Sequence, residues 1–139
     1  MCGILGIASK ESILKEEVLI AMRDEMSHRG PDAAGLWISE DNKLALAHRR
    51  LAIIDLNKIS NQPMKDVSEE IFITFNGEIY NYLELKNELL DLGYEFRTAS
   101  DTEVILVAYK QWGHQCIEKF NGMFSFCILD RSSNEFFVA

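Results

Sequence analysis

The sequence predicts an α+β fold in one layered domain, because strand-like and helix-like segments fall in separate blocks along the chain. The first half holds mostly strand segments, two helical segments follow, and a final pair of strand segments comes last. The length of 139 residues fits one domain, and 47% hydrophobic with 26% charged residues is the composition of an ordinary packed protein. No internal repeat or linker divides the chain.

The N-terminal segment predicts a strand followed by a helix. Gly3–Ala8 is an apolar run whose length favours a buried strand. Over residues 15–28, apolar side chains recur at helical spacing, which predicts an amphipathic helix. Its apolar face consists of Val18, Leu19, Met22 and Met26. Residues 29–32 end this helix, because proline disfavours helix at the preceding residue and Pro-Asp favours a turn.

The middle of the chain predicts strands separated by turns. Residues 35–39 and 43–48 form two strand segments joined by a polar turn, and residues 70–75 alternate apolar and polar side chains as a third strand does. The polar stretch 58–69 contains Pro63 and predicts a loop. Asn76-Gly77 follows the third strand and, on local grounds alone, favours a type I′ hairpin turn.

Two further helices are predicted from capping signals. Residues 81–84 have the spacing of a capping box and open a helix that stops at Gly93. The apolar residues that mark this helix are Leu83, Leu89, Leu90 and Leu92. Residues 100–103 repeat the box and open a helix that reaches Gly113.

The two chain ends carry further expectations. Residues 123–130 and 135–139 predict a hairpin, and the apolar end predicts that the chain stops within a strand. The N-terminus lacks a basic leader and its apolar stretch is too short for a signal peptide, which favours a cytoplasmic location. Cys2, Cys116 and Cys127 form no disulfide framework and are expected to be free thiols.

The composition argues against several classes of partner. A net charge of −8, from 14 Lys and Arg against 22 Asp and Glu, argues against nucleic-acid binding. No apolar run approaches the roughly 20 residues that cross a bilayer. The spacing of the three histidines and three cysteines predicts no metal site, and the absence of phosphate-binding glycine motifs predicts no ATP site. The sequence leaves the oligomeric state open, a homodimer included.

Cys2 is the most informative single position. Removal of Met1 would leave a thiol and a free α-amino group on one residue, and an α-amine with a pKa of about 7.7–8.0 can act as a base near neutral pH. A thiol needs such a base, since only a few per cent of it is thiolate at pH 7. One residue would then supply both nucleophile and base. The alternative is a small hydrophobic residue at the edge of a buried strand.

Other polar residues have a functional interpretation beside a purely structural one. The Asn76 amide and the Gly77 N–H could both donate to one developing oxyanion, beside the turn interpretation. Arg50, in the basic run 48–50, has the planar shape that holds a carboxylate, although such a run is commonly a solvated surface. Asp101 could bind an ammonium group together with Glu78. Alternatively, as an acid in the first turn of the predicted helix, it could simply stabilise the helix dipole. Arg50, Glu78 and Asp101 together would recognise both charged ends of an amino acid.

Five ordered motifs resemble class II glutamine amidotransferases, and in particular the N-terminal glutaminase domain of glutamine-hydrolysing asparagine synthetases. The motifs are Met-Cys-Gly-Ile at the start and residues 28–32, 48–51, 76–81 and 100–103. His-Arg-Gly-Pro-Asp and Asn-Gly-Glu-Ile-Tyr-Asn point to the asparagine synthetase branch. The resemblance covers the whole chain and departs from the common pattern at Arg49, where glutamate is often found.

The resemblance implies an N-terminal nucleophile hydrolase fold, an αββα sandwich that is truncated here at its C-terminal end. It implies that Cys2 attacks the side-chain amide of L-glutamine, with Asn76 and the Gly77 N–H as the oxyanion hole. Glu78 and Asp101 would bind the substrate ammonium. The substrate carboxylate would be held by Arg50 and the backbone that follows it, at Leu51, Ala52, Ile53 and Ile54.

The resemblance also implies what the ammonia is for. A synthetase domain, absent from this incomplete amidotransferase domain over residues 1–139, would use ATP and Mg²⁺ to amidate aspartate to asparagine. The glutaminase segment itself would need no cofactor. Two alternatives stay open: a non-catalytic module of the same fold that binds glutamine or a partner protein, and an amidotransferase that acts on another carboxylate acceptor.

Overall fold

The computed structural model describes all 139 residues as two antiparallel sheets packed face to face between helices. The first sheet has the order β1-β3-β2, and its strands are β1 (Gly3–Ala8), β2 (Ala33–Ile38) and β3 (Leu44–Arg50). The second sheet has the order β4-β5-β6-β7, and its strands are β4 (Met64–Lys65), β5 (Ile71–Ile79), β6 (Gly122–Asp130) and β7 (Glu135–Val138).

Helices cover the outer face of each sheet. Helix α1 (Glu16–Asp24) packs on all three strands of the first sheet, whereas α2 (Tyr82–Asp91) and α3 (Asp101–Trp112) cover the second. The order of layers is therefore helix, sheet, sheet, helix, and the predicted α+β sandwich is confirmed. The longest helix has 12 residues, and no helix is long and apolar enough to cross a bilayer.

The alternation of side chains along β5 divides the core in two. Ile73 and Phe75 belong to a cluster of 16 buried residues between the second sheet and its helices. Phe72, one position away, belongs to a smaller cluster between the sheets, with Leu46 from β3 and Leu129 from β6. Successive residues of a strand face opposite sides of its sheet. Strand β5 is therefore fixed on both faces, which makes it a rigid support for the residues near its end.

The predicted hairpin turn at Asn76-Gly77 is wrong, because β5 runs straight through it to Ile79. Gly77 lies opposite Phe124 in β6, and the pairing continues to the end of both strands. Pairing with a nine-residue partner strand outweighs the local preference of Asn-Gly for a turn. Gly77 has φ +150°, and a Cβ there would lie 2.3 Å from the carbonyl oxygen of Met123, so the strand needs glycine at this position.

Helix α1 ends at Asp24, four residues before the predicted end. Beyond it the chain continues in tight turns, in which the N–H groups of Met26 and Ser27 donate to carbonyls three residues back. These turns bring Met26 against Gly3, where an added Cβ would lie 2.7 Å from the Met26 Cβ. The segment 58–69, predicted as loop alone, also contains a 3₁₀ turn at Lys58–Ser60 and strand β4.

The outer helices bury narrower faces than their sequences predict. In α1 only Leu19 is buried, and in α2 only Leu85 and Leu89 are. Met26 is half-buried, and the remaining residues of the predicted apolar faces are 44–57% exposed: Val18, Met22, Leu83, Leu90 and Leu92. Helix α3 carries most of the packing instead, since nine of its twelve residues are buried.

The two predicted capping boxes have different outcomes. Ser100 caps α3 as expected, with its side-chain oxygen accepting the Thr102 N–H at 3.1 Å. Glu103 does not close that box, because its carboxylate accepts from Thr98 instead, at 2.7 Å. The Asn81 side chain does not cap α2, because it bonds to Lys119 and Asn121. Asn81 is therefore engaged by residues distant in the chain, and Glu103 by the segment just before α3.

Gly35 in β2 tests how closely this strand packs against the backbone of Gln62. A Cβ at this position would lie 1.8 Å from the carbonyl oxygen of Gln62, so Gly35→Ala forces backbone to move. We expect the free energy of unfolding, measured by urea titration, to fall by roughly 1–3 kcal/mol. Ala34→Thr, at an exposed neighbouring position, should change it by no more than about 0.5 kcal/mol. An unchanged stability of Gly35→Ala would contradict the packing described here.

Candidate active site

A cleft of about 250 Å³ opens where the start of β1, the end of β3, the second half of β5 and the N-terminus of α3 meet. The predicted site residues that line it are Cys2, Arg50, Leu51, Ile53, Ile54, Asn76, Gly77, Glu78 and Asp101. Ala52 is the exception: it does not line the cleft, and its N–H donates to the Asp32 carboxylate at 2.8 Å. Residues from four separate elements are thus brought to one place.

The backbone around Cys2 holds the thiol at the cleft. The Leu51 N–H donates to Cys2 Sγ at 3.4 Å, and Sγ lies 3.7 Å from the Leu51 carbonyl oxygen. Arg29 Nε donates to the Cys2 carbonyl oxygen at 3.1 Å. The residue is partly exposed, whereas Cys116 and Cys127 are buried and outside the cleft. Burial raises the pKa of both of these other thiols to about 11, which leaves them protonated and unreactive.

Gly77 presents a backbone N–H at the open edge of β5, and the neighbouring Asn76 lines the same cleft. The N–H groups of Phe75 and Ile79 point away from β6, and they donate to Gln62 Oε1 at 2.6 Å and to Asp101 Oδ2 at 3.2 Å. Strand alternation directs the Gly77 N–H to this same edge, between these two. No loop carbonyl or side chain accepts from Gly77, and the buried Asn76 Oδ1 has no partner.

Arg50 is a buried cation held by neutral acceptors. Its guanidinium donates to the carbonyl oxygens of Asp55 and Asn57 and to Asn61 Oδ1, the last at 2.8 Å. Only 8% of the residue is exposed, and it takes part in none of the chain's ion pairs. A buried charge without a counter-ion is costly. The cleft therefore offers a fixed cationic group to an incoming carboxylate.

The loop that holds Arg50 is itself fixed by Asp55. The Asp55 carboxylate accepts from the Asn57 N–H at 2.9 Å, from the Ser60 hydroxyl at 2.7 Å and from the Ala99 N–H at 3.1 Å. These hydrogen bonds, the one from Asn57 foremost, lower the pKa of Asp55 to about 2. The carboxylate thus ties the loop after β3 to the segment that leads into α3.

The basic run 48–50 is not a solvated surface, and its side chains point to different places. His48 is fully buried, with Nε2 3.0 Å from the Phe75 carbonyl oxygen. Burial lowers the pKa of His48 to about 4, so the ring is neutral at pH 7. Arg49 donates to the Gly30 carbonyl oxygen at 3.0 Å and lies 3.4 Å from Asp24 of α1. Only Arg50 reaches the cleft.

Two carboxylates, those of Glu78 and Asp101, also line the cleft. Asp101, the first residue of α3, is buried, and Glu78 near the end of β5 is exposed. Burial raises the pKa of Asp101 and the Glu78 charge adds to this, although hydrogen bonds from the N–H groups of Ile79 and Thr102 oppose it. A cationic ligand between the two carboxylates would relieve their repulsion.

Several cleft residues escape the sequence-based prediction: Asp55, Ser60, Gln62, Phe75, Tyr80, Ser100, Thr102 and Met123. Gln62 comes from the segment 58–69, which the sequence presents only as a polar loop, and Asp55 comes from the residues between β3 and that segment. Their positions follow from tertiary hydrogen bonds to Phe75 and Ala99, for which no local pattern exists.

The αββα sandwich, with a half-buried cysteine beside the first strand, has the fold of the N-terminal nucleophile hydrolases. Residues 1–139 match the glutamine amidotransferase domain family over the whole chain, and the chain belongs to this family. The resemblance drawn from the five motifs is thereby confirmed. The fold agrees as well: a solved glutamine phosphoribosylpyrophosphate amidotransferase from Bacillus subtilis superposes with a TM-score of 0.78 at 20% identity, over 94% of this chain and 35% of that chain.

Among curated proteins the chain is similar to asparagine synthetases that are named glutamine-hydrolysing. One from Bacillus subtilis is 38% identical over 143 residues, and one from Zea mays is 41% identical over 141 residues. Both alignments cover 100% of this chain but only 22% and 23% of the relatives. The chain thus spans less than a quarter of the length of these two relatives.

Proposed function

We propose that Cys2, once Met1 is removed, hydrolyses the side-chain amide of L-glutamine to glutamate and ammonia. One observation carries the proposal: a single cleft contains a thiol, a buried arginine without a counter-ion, a pair of carboxylates, and the Gly77 N–H beside the Asn76 side chain. These groups match, in order, the amide carbon, the α-carboxylate, the α-ammonium and the amide oxygen of glutamine.

The proposed chemistry proceeds in two steps at Cys2. The thiol proton moves to the α-amine as Sγ bonds to the amide carbon, and the amide oxygen becomes an oxyanion beside Asn76 and Gly77. The C–N bond then breaks, the protonated α-amine gives its proton to the departing nitrogen, and ammonia and a γ-glutamyl thioester result. Water then attacks the thioester carbon as the α-amine accepts its proton; the C–S bond breaks, the proton returns to Sγ, and glutamate is released with the thiol restored. No cofactor is needed for these steps.

The charged ends of glutamine are proposed to select the substrate. Arg50 binds the α-carboxylate, aided by the backbone of Leu51, Ile53 and Ile54, while Ala52 supports that backbone through Asp32. Glu78 and Asp101 bind the α-ammonium. The distance from these anchors to Cys2 then fixes the length of side chain that reaches the sulfur.

The use of the ammonia is a further proposal, which rests on the names of the relatives. We propose that the ammonia serves an asparagine synthetase reaction, in which a synthetase domain amidates aspartate with ATP and Mg²⁺. We also propose a reducing compartment such as the cytoplasm, because a catalytic thiol must stay reduced.

The proposal is tested by measuring glutamate and ammonia after the chain is incubated with L-glutamine. We expect the two products to appear in equal amounts. L-Asparagine, one methylene shorter, and D-glutamine, with its charged groups exchanged in space, are matched controls that should be hydrolysed at least about tenfold more slowly. Equal rates with all three substrates, or binding of glutamine without turnover, would contradict the proposal, and the second result would favour the non-catalytic module.

Asp101 gives the proposal a pH-dependent signature. Because burial raises its pKa, the carboxylate begins to be protonated at a higher pH than an ordinary aspartate does, and the KM for glutamine should rise as the pH falls through that range. Asp101→Asn should lower kcat/KM at neutral pH by roughly 10- to 100-fold and remove this pH step. The raised pKa means that ionised Asp101 costs folding free energy, so the variant should be no less stable in urea. A KM that keeps its pH step in Asp101→Asn would contradict the assignment.

A further inference from the structure

Beside the proposed oxyanion hole, one edge of strand β5 has no neighbouring strand. Strand β4 pairs only with Phe72 and Ile73, so no strand lies next to Phe75 on that side. On the other side, Phe126 of β6 exchanges its backbone hydrogen bonds with Ala139, at 2.7 and 3.2 Å. In an antiparallel ladder this makes Phe75 and Phe126 a non-hydrogen-bonded pair. The N–H and C=O of Phe75 therefore point to the open edge.

Two buried side chains satisfy these backbone groups in place of a strand. Gln62 Oε1 accepts the Phe75 N–H at 2.6 Å, and neutral His48 donates Nε2–H to the Phe75 carbonyl oxygen, 3.0 Å away. Phe75 immediately precedes Asn76 in the chain. The position of Asn76, the first residue of the proposed oxyanion hole, thus depends on the hydrogen bonds that Phe75 makes.

The other end of the Gln62 amide reaches α3. Gln62 Nε2 donates to Thr102 Oγ1 at 3.2 Å, and Thr102 follows Asp101 directly. Gln62 is 7% exposed and lines the cleft, yet its amide oxygen and nitrogen both have protein partners. Its side chain therefore joins the oxyanion edge of β5 to the helix end that carries the ammonium-binding carboxylate.

We propose that Gln62 is a positioning residue for the hydrolysis of glutamine, which fixes the oxyanion donors of β5 relative to the substrate anchor on α3. The inference rests on the function proposed above. A displacement of about 1 Å between reacting groups can lower a rate by about 10²-fold. Loss of Gln62 should therefore weaken binding of the transition state and leave binding of glutamine itself largely unchanged.

The test compares Gln62→Met with the control Thr74→Val. The first removes both hydrogen bonds at similar side-chain length, whereas Thr74 makes one buried hydrogen bond from β5 to the Ala47 carbonyl oxygen, at 3.1 Å and away from the cleft. For Gln62→Met we expect kcat to fall about tenfold or more and KM to stay within about twofold. For Thr74→Val we expect lower stability in urea and an unchanged kcat.

A second readout uses L-glutamate γ-semialdehyde, an aldehyde with the glutamine skeleton. The Cys2 thiol adds across its C=O bond, with Sγ bonding to carbon and the thiol proton passing to oxygen, so the product mimics the tetrahedral intermediate. We expect Gln62→Met to weaken aldehyde binding by the same factor as kcat. Binding of glutamine, measured in the Cys2→Ala background, should not change.

The outcomes distinguish a failure of the positioning role of Gln62 from a failure of the proposed glutamine hydrolysis. If Gln62→Met fails to fold, Thr102→Val, which releases only one end of the amide, should show the same pattern with a smaller fall in kcat. A Gln62→Met or Thr102→Val enzyme that loses glutamine affinity instead of kcat, or that retains full kcat, would overturn the positioning role. If the unsubstituted chain does not hydrolyse glutamine, the proposed function fails first.

Discussion

Cys2→Ala is expected to abolish glutamine hydrolysis while the chain stays folded. The substitution removes the only proposed nucleophile, and loss of a residue that acts at the centre of a catalytic unit costs at least about 10³-fold in kcat. The Cys2 side chain is partly exposed and outside the core clusters, so the thermal midpoint should change little. Release of ammonia in a coupled assay, with circular dichroism for the fold, measures both.

The other two cysteines are the matched controls for this experiment. Cys116 and Cys127 are buried thiols with raised pKa values, and neither lines the cleft. Cys116→Ala and Cys127→Ala should therefore lower stability and leave kcat unchanged, the reverse of the Cys2 result. A Cys2→Ala chain that still releases ammonia from glutamine at the original rate would mean that another group is the nucleophile.

Asn76→Ala is expected to lower kcat by about 10²–10³-fold with little change in KM, which is the usual effect of removing one oxyanion donor. The amide makes no hydrogen bond within the protein, so its loss leaves no broken contact behind. Initial rates over a range of glutamine concentrations separate kcat from KM.

Asn81→Ala is the matched control, because it removes the same amide side chain at a position outside the cleft. The Asn81 amide lies five residues further along, donates to the Lys119 carbonyl oxygen at 3.0 Å and accepts the Asn121 N–H at 2.9 Å. Its removal should reduce stability and spare kcat. If Asn76→Ala kept full kcat, or if the two variants lowered kcat alike, Asn76 would not be an oxyanion donor.

The layered fold could be predicted from the sequence because its segments carry local signals. The apolar run at residues 3–8 and the Ser100 cap both lie where the structure has them. Asn76-Gly77 shows the limit of this approach. The dipeptide has a strong turn preference, yet pairing with β6 keeps it in a strand, where Gly77 takes a positive φ that other residues rarely adopt.

The site was predictable only in part, and for a physical reason. Cys2 is marked by its place after Met1, and side-chain chemistry suggests Asn76-Gly77, Arg50, Glu78 and Asp101. The resemblance adds the backbone of residues 51–54. Gln62 and Asp55 were missed because each acts through tertiary hydrogen bonds to backbone from another segment. No periodicity or spacing in a sequence records such a contact. The resemblance implies a carboxylate-binding backbone that includes Ala52, whereas in the structure the Ala52 N–H donates to Asp32 and the residue does not line the cleft.

The nucleophile assignment is tested most directly by locating an electrophilic glutamine analogue, such as the chloromethyl ketone of the glutamine skeleton, by peptide mass spectrometry. The expected result is one adduct per chain, on Cys2 as the N-terminal residue with Met1 absent, and protection by excess glutamine. An adduct on Cys116 or Cys127, or labelling of Cys2 with Met1 still attached, would contradict the assignment, because the α-amine would then be locked in a peptide bond.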